Sequence, residues 1–130
     1  MKKLAFFLLV CLIAGCKDSY DYNKARDVSA KAVQLMKSGN YQEMAKLYSY
    51  DFGNSETPER REEKFKKIFD ATGEIKEMKL IDSTGIQITE NYEGTFRYKL
   101  HCTKVNVIGY FSIIKERGKY FISKINIEQE

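Results

Sequence analysis

Few side chains in this 130-residue chain could carry acid–base or nucleophilic chemistry, since it holds one histidine and three cysteines. His101 titrates nearest neutral pH, but Lys99 and Thr103, its neighbours on the same face of a predicted strand, supply no carboxylate. Cys102 follows His101 directly and points to the opposite sheet face, so the imidazole cannot activate the thiol. We therefore predict no catalytic residue, no metal site and no cofactor.

The first fifteen residues have the layout of an export signal. Lys2 and Lys3 form a positive start, and residues 4–13 form an apolar run of about ten residues, shorter than the roughly twenty of a membrane-spanning helix. Half of the formal net charge of +4 lies in these two lysines. The charge balance therefore gives no reason to expect a nucleic-acid partner.

Residues 13–16 read Ile-Ala-Gly-Cys, which resembles the lipobox of bacterial lipoproteins. The resemblance implies cleavage between Gly15 and Cys16 and attachment of diacylglycerol and palmitate to Cys16, and several acyl chains on one residue anchor a protein stably. Lys17, in place of Asp, resembles the sorting signal for the outer membrane. We expect a lipid-anchored envelope protein, facing the periplasm from the outer membrane in a Gram-negative host. The alternatives are an ordinary signal peptide with an accidental cysteine, or a short anchor helix.

Three segments follow from this interpretation. Residues 1–15 form the signal peptide, residues 16–21 form a lipidated polar tether, and residues 22–130 form a single domain with a modest core. Once the leader is removed and Cys16 is acylated, Cys102 is the sole free thiol, so no disulfide can form.

Helical periodicity occupies the first half of the domain. Apolar residues recur at spacings of three and four over Tyr22–Lys37, which predicts the first helix. Asn40 is predicted to be the N-cap of a second helix, which extends to Tyr48. A third helix is predicted to begin at Pro58 and to end at Gly73.

After Gly73 the apolar period changes from 3.6 to 2, which indicates strands. The predicted strands are residues 75–83, 92–104, 107–115 and 119–127. Residues 84–90 form either a loop or a further short strand. Three N-terminal helices packed on a curved antiparallel sheet of about four strands make an α+β domain.

Three short motifs mark two helix starts and a closing hairpin. They are Ser-Gly-Asn-Tyr at residues 38–41, Thr-Pro-Glu at residues 57–59 and Gly-Lys-Tyr-Phe-Ile at residues 118–122. Together they resemble small bacterial lipoproteins of the nuclear transport factor two-like superfamily, whose cystatin-like, cone-shaped fold wraps a curved sheet around helices. The superfamily includes isomerases, dehydratases and transport adaptors, so the resemblance implies a fold rather than one function. Isomerase-like members use a buried Asp base, and here no Asp falls on an inward position of the last three strands.

The sheet faces follow from the turns. Arg117-Gly118 predicts a two-residue hairpin turn, and a second short turn is expected at Val105-Asn106. The expected cross-strand pairs are Lys115–Tyr120, Ile113–Ile122, Phe111–Lys124, Leu100–Phe111 and Tyr98–Ile113. Residues expected to face the helices and to line the cavity of the cone are Tyr98, Leu100, Phe111 and Tyr120.

The opposite sheet face is apolar where an antiparallel sheet is usually polar. Its apolar members are Ile108, Tyr110, Ile114 and Phe121, and whether Ile125 or Ile127 joins them depends on a bulge. Such a patch indicates an interface with a second copy of the chain or with another envelope protein. Alternatively, a one-residue bulge spreads these residues over a single core.

We predict a membrane-anchored, non-catalytic binding or interaction module. Its ligand would be a partner protein on the outer sheet face or a small apolar molecule in the cone. Two alternatives stay open. A small enzyme of the isomerase or dehydratase type would hold its active site in the cavity, and an immunity or inhibitor lipoprotein would neutralise a secreted toxin.

Overall fold

The computed structural model describes residues 19–83 and 93–130. Its helices are α1 (Tyr22–Lys37), α2 (Tyr41–Ala45), α3 (Tyr50–Asn54) and α4 (Pro58–Thr72). Its strands are β1 (Ile75–Asp82), β2 (Glu93–Cys102), β3 (Val107–Glu116) and β4 (Lys119–Gln129). The strands form one antiparallel sheet in the order β1-β2-β3-β4. This confirms the α+β class and the four-stranded sheet, while the predicted loop or strand at residues 84–90 lies outside the described residues.

The prediction is wrong for the second of the three predicted helices. α2 ends at Ala45 instead of continuing to Tyr48, because the chain turns at Lys46 and Leu47 and Tyr48 then forms a parallel bridge with Ile122 of β4. The Ile122 amide donates to the Leu47 carbonyl at 2.7 Å, and the Ser49 amide donates to the Ile122 carbonyl at 2.8 Å. The Ser49 hydroxyl then caps α3, an additional helix in the described part of the chain.

The other helix boundaries follow local signals in the sequence. Gly39 adopts a φ of 72° just after α1, and the Asn40 side chain accepts a hydrogen bond from the Glu43 amide at 3.4 Å. The Thr57 hydroxyl accepts from the Arg60 amide at 3.3 Å at the start of α4. These caps satisfy backbone amides that have no hydrogen-bond partner inside the helix. The helix boundaries can therefore be predicted from the capping residues in the sequence.

Residues 19–21, which the sequence interpretation places in the tether, contact the domain. Asp21 caps α1, because its carboxylate accepts from the amides of Asn23 at 3.0 Å and Lys24 at 3.2 Å. The Asp21 amide also donates to the hydroxyl of Tyr120 on β4. The folded domain therefore includes residues that the sequence interpretation assigned to the tether.

Ser19 and Tyr20 are also held against the sheet. The Tyr20 hydroxyl donates to the Ile113 carbonyl at 2.9 Å, and the Lys115 ammonium donates to the Ser19 carbonyl at 2.8 Å. A Cβ at Gly94 would lie 2.9 Å from the Tyr20 hydroxyl, so glycine there makes room for the ring. Burial at this position raises the pKa of Tyr20 above its ordinary value.

The hairpin turn between β3 and β4 matches its prediction. Arg117 and Gly118 both have positive φ, 52° and 75°, as a two-residue turn that fits the strand twist requires. Two predicted pairs are confirmed next to it: Lys115–Tyr120 and Ile113–Ile122.

Further along this hairpin, one predicted pair is wrong. Phe111 lies opposite Ile125 rather than Lys124, because Ser123 is an extra residue in β4 at this point of the ladder. The bulge turns Ile125 and Ile127 towards the helices, where they pack against the core. Both residues are thereby removed from the outer face.

The register between β2 and β3 also differs from the prediction. The observed pairs are Leu100–Val107, Tyr98–Gly109 and Phe96–Phe111. The turn comes earlier in the chain, because the amides of Lys104 and Val105 both donate to the carbonyl of Thr72 at the end of α4. The displacement is an even number of residues, so each side chain keeps its predicted sheet face.

The core lies between α1, α4 and the inner face of the sheet. Its buried apolar residues are Ala25, Ala32, Val33, Met36, Met44, Phe65, Ile75, Phe96, Tyr98, Leu100, Val107, Phe111, Ile113 and Ile122. Ser29 on α1 shares a hydrogen bond of 2.7 Å with the Tyr98 hydroxyl. This buried pair fixes the middle of α1 on β2, since breaking it would leave an unsatisfied polar group.

Candidate functional site

The four predicted interface residues lie on the outer face of the sheet, the face that points away from the helices. Each is partly buried in the isolated domain. The cross-strand pairs that contain them are Lys99–Ile108, Arg97–Tyr110, Glu93–Ile114 and Ile114–Phe121. Ile114 and Phe121 are therefore direct neighbours, and Ile108 and Tyr110 form a second apolar group on the same face.

A polar row separates these two groups. Thr95, Ser112 and Lys124 are neighbours across β2, β3 and β4. The hydroxyls of Thr95 and Ser112 share a hydrogen bond of 3.0 Å, and Ser112 is only 5% exposed. A shallow groove of about 170 Å³ follows this row, lined by Thr95, Tyr110, Ser112, Lys124, Asn126 and Glu128. The outer face is thus a mixed apolar and polar surface rather than one continuous apolar patch.

Arg97 gives this face an unsatisfied donor. Its side chain belongs to β2, between Asp82 on β1 and Tyr110 on β3. The Nε atom is buried and has no hydrogen-bond partner among residues 19–83 and 93–130. Leaving such a group unpaired costs about 1–3 kcal/mol, so Arg97 stabilises the isolated domain less than a fully hydrogen-bonded arginine would.

A larger groove of about 1000 Å³ opens beside the β3–β4 turn. Its lining residues are Tyr48, Tyr50, Asp51, Glu116, Arg117, Lys119 and Phe121. The Tyr50 side chain is 80% exposed. This hairpin groove combines aromatic rings with two cations and two carboxylates. Sequence reasoning missed it, because the groove forms only where α3 meets β4.

Arg61 supports one wall of the hairpin groove. It is 7% exposed, and its guanidinium carbon lies 3.8 Å from the ring centroid of Phe52 and 5.0 Å from that of Tyr48. Its Nη2 atom donates to the Phe52 carbonyl at 2.7 Å and to the Ser55 hydroxyl at 3.0 Å. Burial raises the pKa of Tyr48 to about 12, against the opposing effect of Arg61. Tyr48 is therefore a neutral phenol at physiological pH and not an acid–base group.

Replacing Arg61 by methionine is expected to lower the free energy of unfolding by about 2–3 kcal/mol. The Phe52 carbonyl and the Ser55 hydroxyl lose a charged donor, and two rings lose a buried cation, while methionine fills much of the volume. Urea unfolding followed by circular dichroism measures the change.

Arg60→Met is the matched control for that experiment. The Arg60 side chain is 72% exposed and lies 3.6 Å from the Glu56 carboxylate. Its replacement is expected to change stability by less than about 0.5 kcal/mol, as for most exposed ion pairs. Equal losses in the two variants would contradict the structural role of Arg61.

Three of the four residues predicted to line a cavity are buried in the core. Tyr98, Leu100 and Phe111 are each at most 4% exposed, and the Tyr98 and Phe111 rings meet edge to face at 5.8 Å. Burial raises the pKa of Tyr98, partly offset by its hydrogen bond to Ser29. A ligand could reach these residues only by displacing closely packed side chains. Tyr120 is partly buried at the domain edge, where its hydroxyl accepts from the backbone.

His101 and Cys102 are both partly buried, at the end of β2. Burial raises the pKa of the Cys102 thiol, which disfavours the reactive thiolate. Glu77 on β1 lies opposite His101, a carboxylate that local sequence reasoning could not find. Within residues 19–83 and 93–130, no three His, Cys, Asp or Glu side chains are grouped to hold a metal ion.

Gly15 and Cys16, the predicted cleavage and lipidation residues, lie outside the described residues. No helix in the described part of the chain has both the length and the apolar character to cross a bilayer. The chain matches no model of a known protein family and no curated protein.

Proposed function

We propose that this chain is a lipid-anchored protein of a bacterial cell envelope that works by binding rather than by catalysis. The observation that carries the anchor is Ile-Ala-Gly-Cys at residues 13–16, placed after two lysines and a short apolar run. Acyl chains on Cys16 would hold the domain at the membrane without a spanning helix. In a Gram-negative host the outer membrane is the proposed location.

The domain itself is proposed to be nuclear transport factor two-like. Support comes from the element order, in which helices precede a single four-stranded antiparallel sheet. Further support comes from the helix α1, which packs along the inner face of that sheet through Ser29 and Tyr98. An isomerase-like member would place a carboxylate against such a tyrosine, and here the Tyr98 hydroxyl meets a serine instead. This contact favours binding over catalysis.

The outer face of the sheet is the proposed binding surface. Tyr110 and Arg97, two residue types that are enriched at protein interfaces, are direct cross-strand neighbours there. Ile114 and Phe121 add partly exposed apolar area. A second copy of the chain or another envelope protein would cover that area.

A photoreactive amino acid at position 110 tests this surface in living cells. In place of Tyr110 it is expected to give a discrete crosslinked product of higher mass, because the ring lies at the centre of the proposed contact. A product of twice the protein mass identifies a homodimer, and any other mass identifies a different envelope protein.

The matched control places the same photoreactive group at Gln34, an exposed residue of α1. We expect no discrete product there, because α1 packs on the other side of the sheet. Absence of a product from position 110, or the same product from both positions, would contradict the proposal.

A further inference from the structure

The chain enters the described domain beside the β3–β4 hairpin. The Ser19 carbonyl accepts from the Lys115 ammonium at 2.8 Å, and the Tyr20 hydroxyl donates to the Ile113 carbonyl at 2.9 Å. The rings of Tyr20 and Tyr120 meet edge to face at 5.3 Å. These contacts fix the entry point at the end of the sheet where the hairpin turns.

The distance from this point to the proposed anchor is short. Ser19 follows Cys16 by three peptide units, and an extended chain spans at most about 3.6 Å per residue, so their Cα atoms lie within about 11 Å. Acyl chains on Cys16 hold that residue at the headgroup layer. Anchoring there would bring the hairpin end of the domain to the membrane surface.

The surface at this end suits anionic headgroups. Arg117 and Lys119 are exposed at the turn, and neither takes part in an ion pair within residues 19–83 and 93–130. Each basic residue near an anionic leaflet adds about fivefold to the affinity, so the two together contribute roughly twenty-five-fold.

Aromatic side chains complete this surface. Tyr50 is 80% exposed and lines the hairpin groove together with the two cations of the turn. Tyrosine rings favour the headgroup level of a bilayer, where one end is apolar and the other wet. The carboxylates of Asp51 and Glu116 also line the groove and formally balance the two cations. The contact with headgroups is therefore assigned to Arg117 and Lys119 at the turn and not to the groove as a whole.

We infer that the β3–β4 turn and Tyr50 rest on the anionic headgroups of the bilayer, which fixes the orientation of the anchored domain. This inference depends on the proposed acylation of Cys16. With the hairpin end at the membrane, the sheet stands away from the bilayer, and its outer face stays open to a partner.

The test uses the full, lipidated chain in vesicles of phosphatidylcholine and phosphatidylglycerol. A water-soluble acetylating reagent labels lysines, and mass spectrometry reports the rate at each site. A variant with a Gly-Ser spacer of about twelve residues between Asp18 and Ser19 lets the domain move about 20 Å from the anchor. Lys119 is expected to react at least about fivefold more slowly in the native chain than in the spacer variant, whereas Lys37 at the far end of α1 reacts equally in both.

Charge reversal tests the headgroup contact separately. Arg117→Glu is expected to raise the acetylation rate of Lys119 several-fold towards that of the spacer variant. Lys76→Glu makes the same change of charge at an exposed position of β1 near the opposite end of the sheet, and should leave the rate unchanged. Equal protection of Lys119 in vesicles of phosphatidylcholine alone would overturn the role of anionic headgroups.

Flotation of the vesicles separates the two proposals. If the native chain does not float with the vesicles, both the anchor and the docking are wrong. If it floats while Lys119 reacts at the same rate with and without the spacer, the docking inference alone is overturned and the anchor stands.

Discussion

Replacement of Cys16 by serine is expected to move the protein completely from the membrane fraction to the soluble fraction, with the domain still folded. Serine offers no thiol for the diacylglycerol, so the proposed acyl anchor cannot be attached. The apolar run at residues 4–13 is too short to replace them by spanning the bilayer. Membrane fractionation measures the distribution, and circular dichroism of the released protein reports its fold.

Cys102→Ser is the control with the same chemistry at the other remaining cysteine. Cys102 is partly buried at the end of β2, and its thiol donates weakly to the Leu100 carbonyl oxygen at 3.8 Å. This variant is expected to stay in the membrane fraction, and its free energy of unfolding is expected to change by about 1 kcal/mol or less. Recovery of Cys16→Ser in the membrane, or equal release of both variants, would refute the lipobox interpretation.

Local signals in the sequence determine much of the helical part of this fold. The observed α1 has the predicted limits, because its apolar period is regular and Gly39 can adopt positive φ after its end. The start of α4 follows from the Thr57 cap and the proline after it. The Arg117-Gly118 turn is equally local, since a two-residue hairpin needs positive φ at both positions. Each of these features depends on residues close together in the sequence.

The features that the sequence did not predict all depend on distant residues. The predicted second helix is cut short because the Leu47 carbonyl accepts from the amide of Ile122 on β4, far along the chain. The β2–β3 turn is displaced because the Thr72 carbonyl, at the end of α4, accepts from two amides of that turn. Neither partner can be recognised from a local window. The sheet faces were nevertheless predicted, because an even displacement preserves the alternation of side chains.

In the candidate site, too, the local features were predicted and those that depend on distant residues were not. Alternation alone placed Ile108, Tyr110, Ile114 and Phe121 on one face, and the register keeps them there. The polar row that divides them could not be foreseen, because it requires Thr95 to lie opposite Ser112, a consequence of the displaced turn. The hairpin groove likewise needs α3, which has no apolar period of its own.

The two sheet faces differ enough for one matched pair of substitutions to separate them. Phe111→Ala on the inner face is expected to lower the free energy of unfolding by about 3–5 kcal/mol, because the ring is fully buried against Tyr98 and leaves a cavity. Phe121→Ala on the outer face removes the same ring from a partly exposed position and should cost only about 1 kcal/mol. Urea unfolding of the two variants measures both values.

The comparison also distinguishes folding from binding. A domain whose total stability is about 5–15 kcal/mol can lose much of its folded population through Phe111→Ala alone. Phe121→Ala should instead leave the fold intact and weaken the crosslinked product formed from position 110, because Phe121 and Ile114 belong to the proposed contact. Similar losses of stability in both variants would mean that the outer face is also core, as the bulge alternative requires. A large loss for Phe111 with a small one for Phe121 would leave the outer face available to a partner.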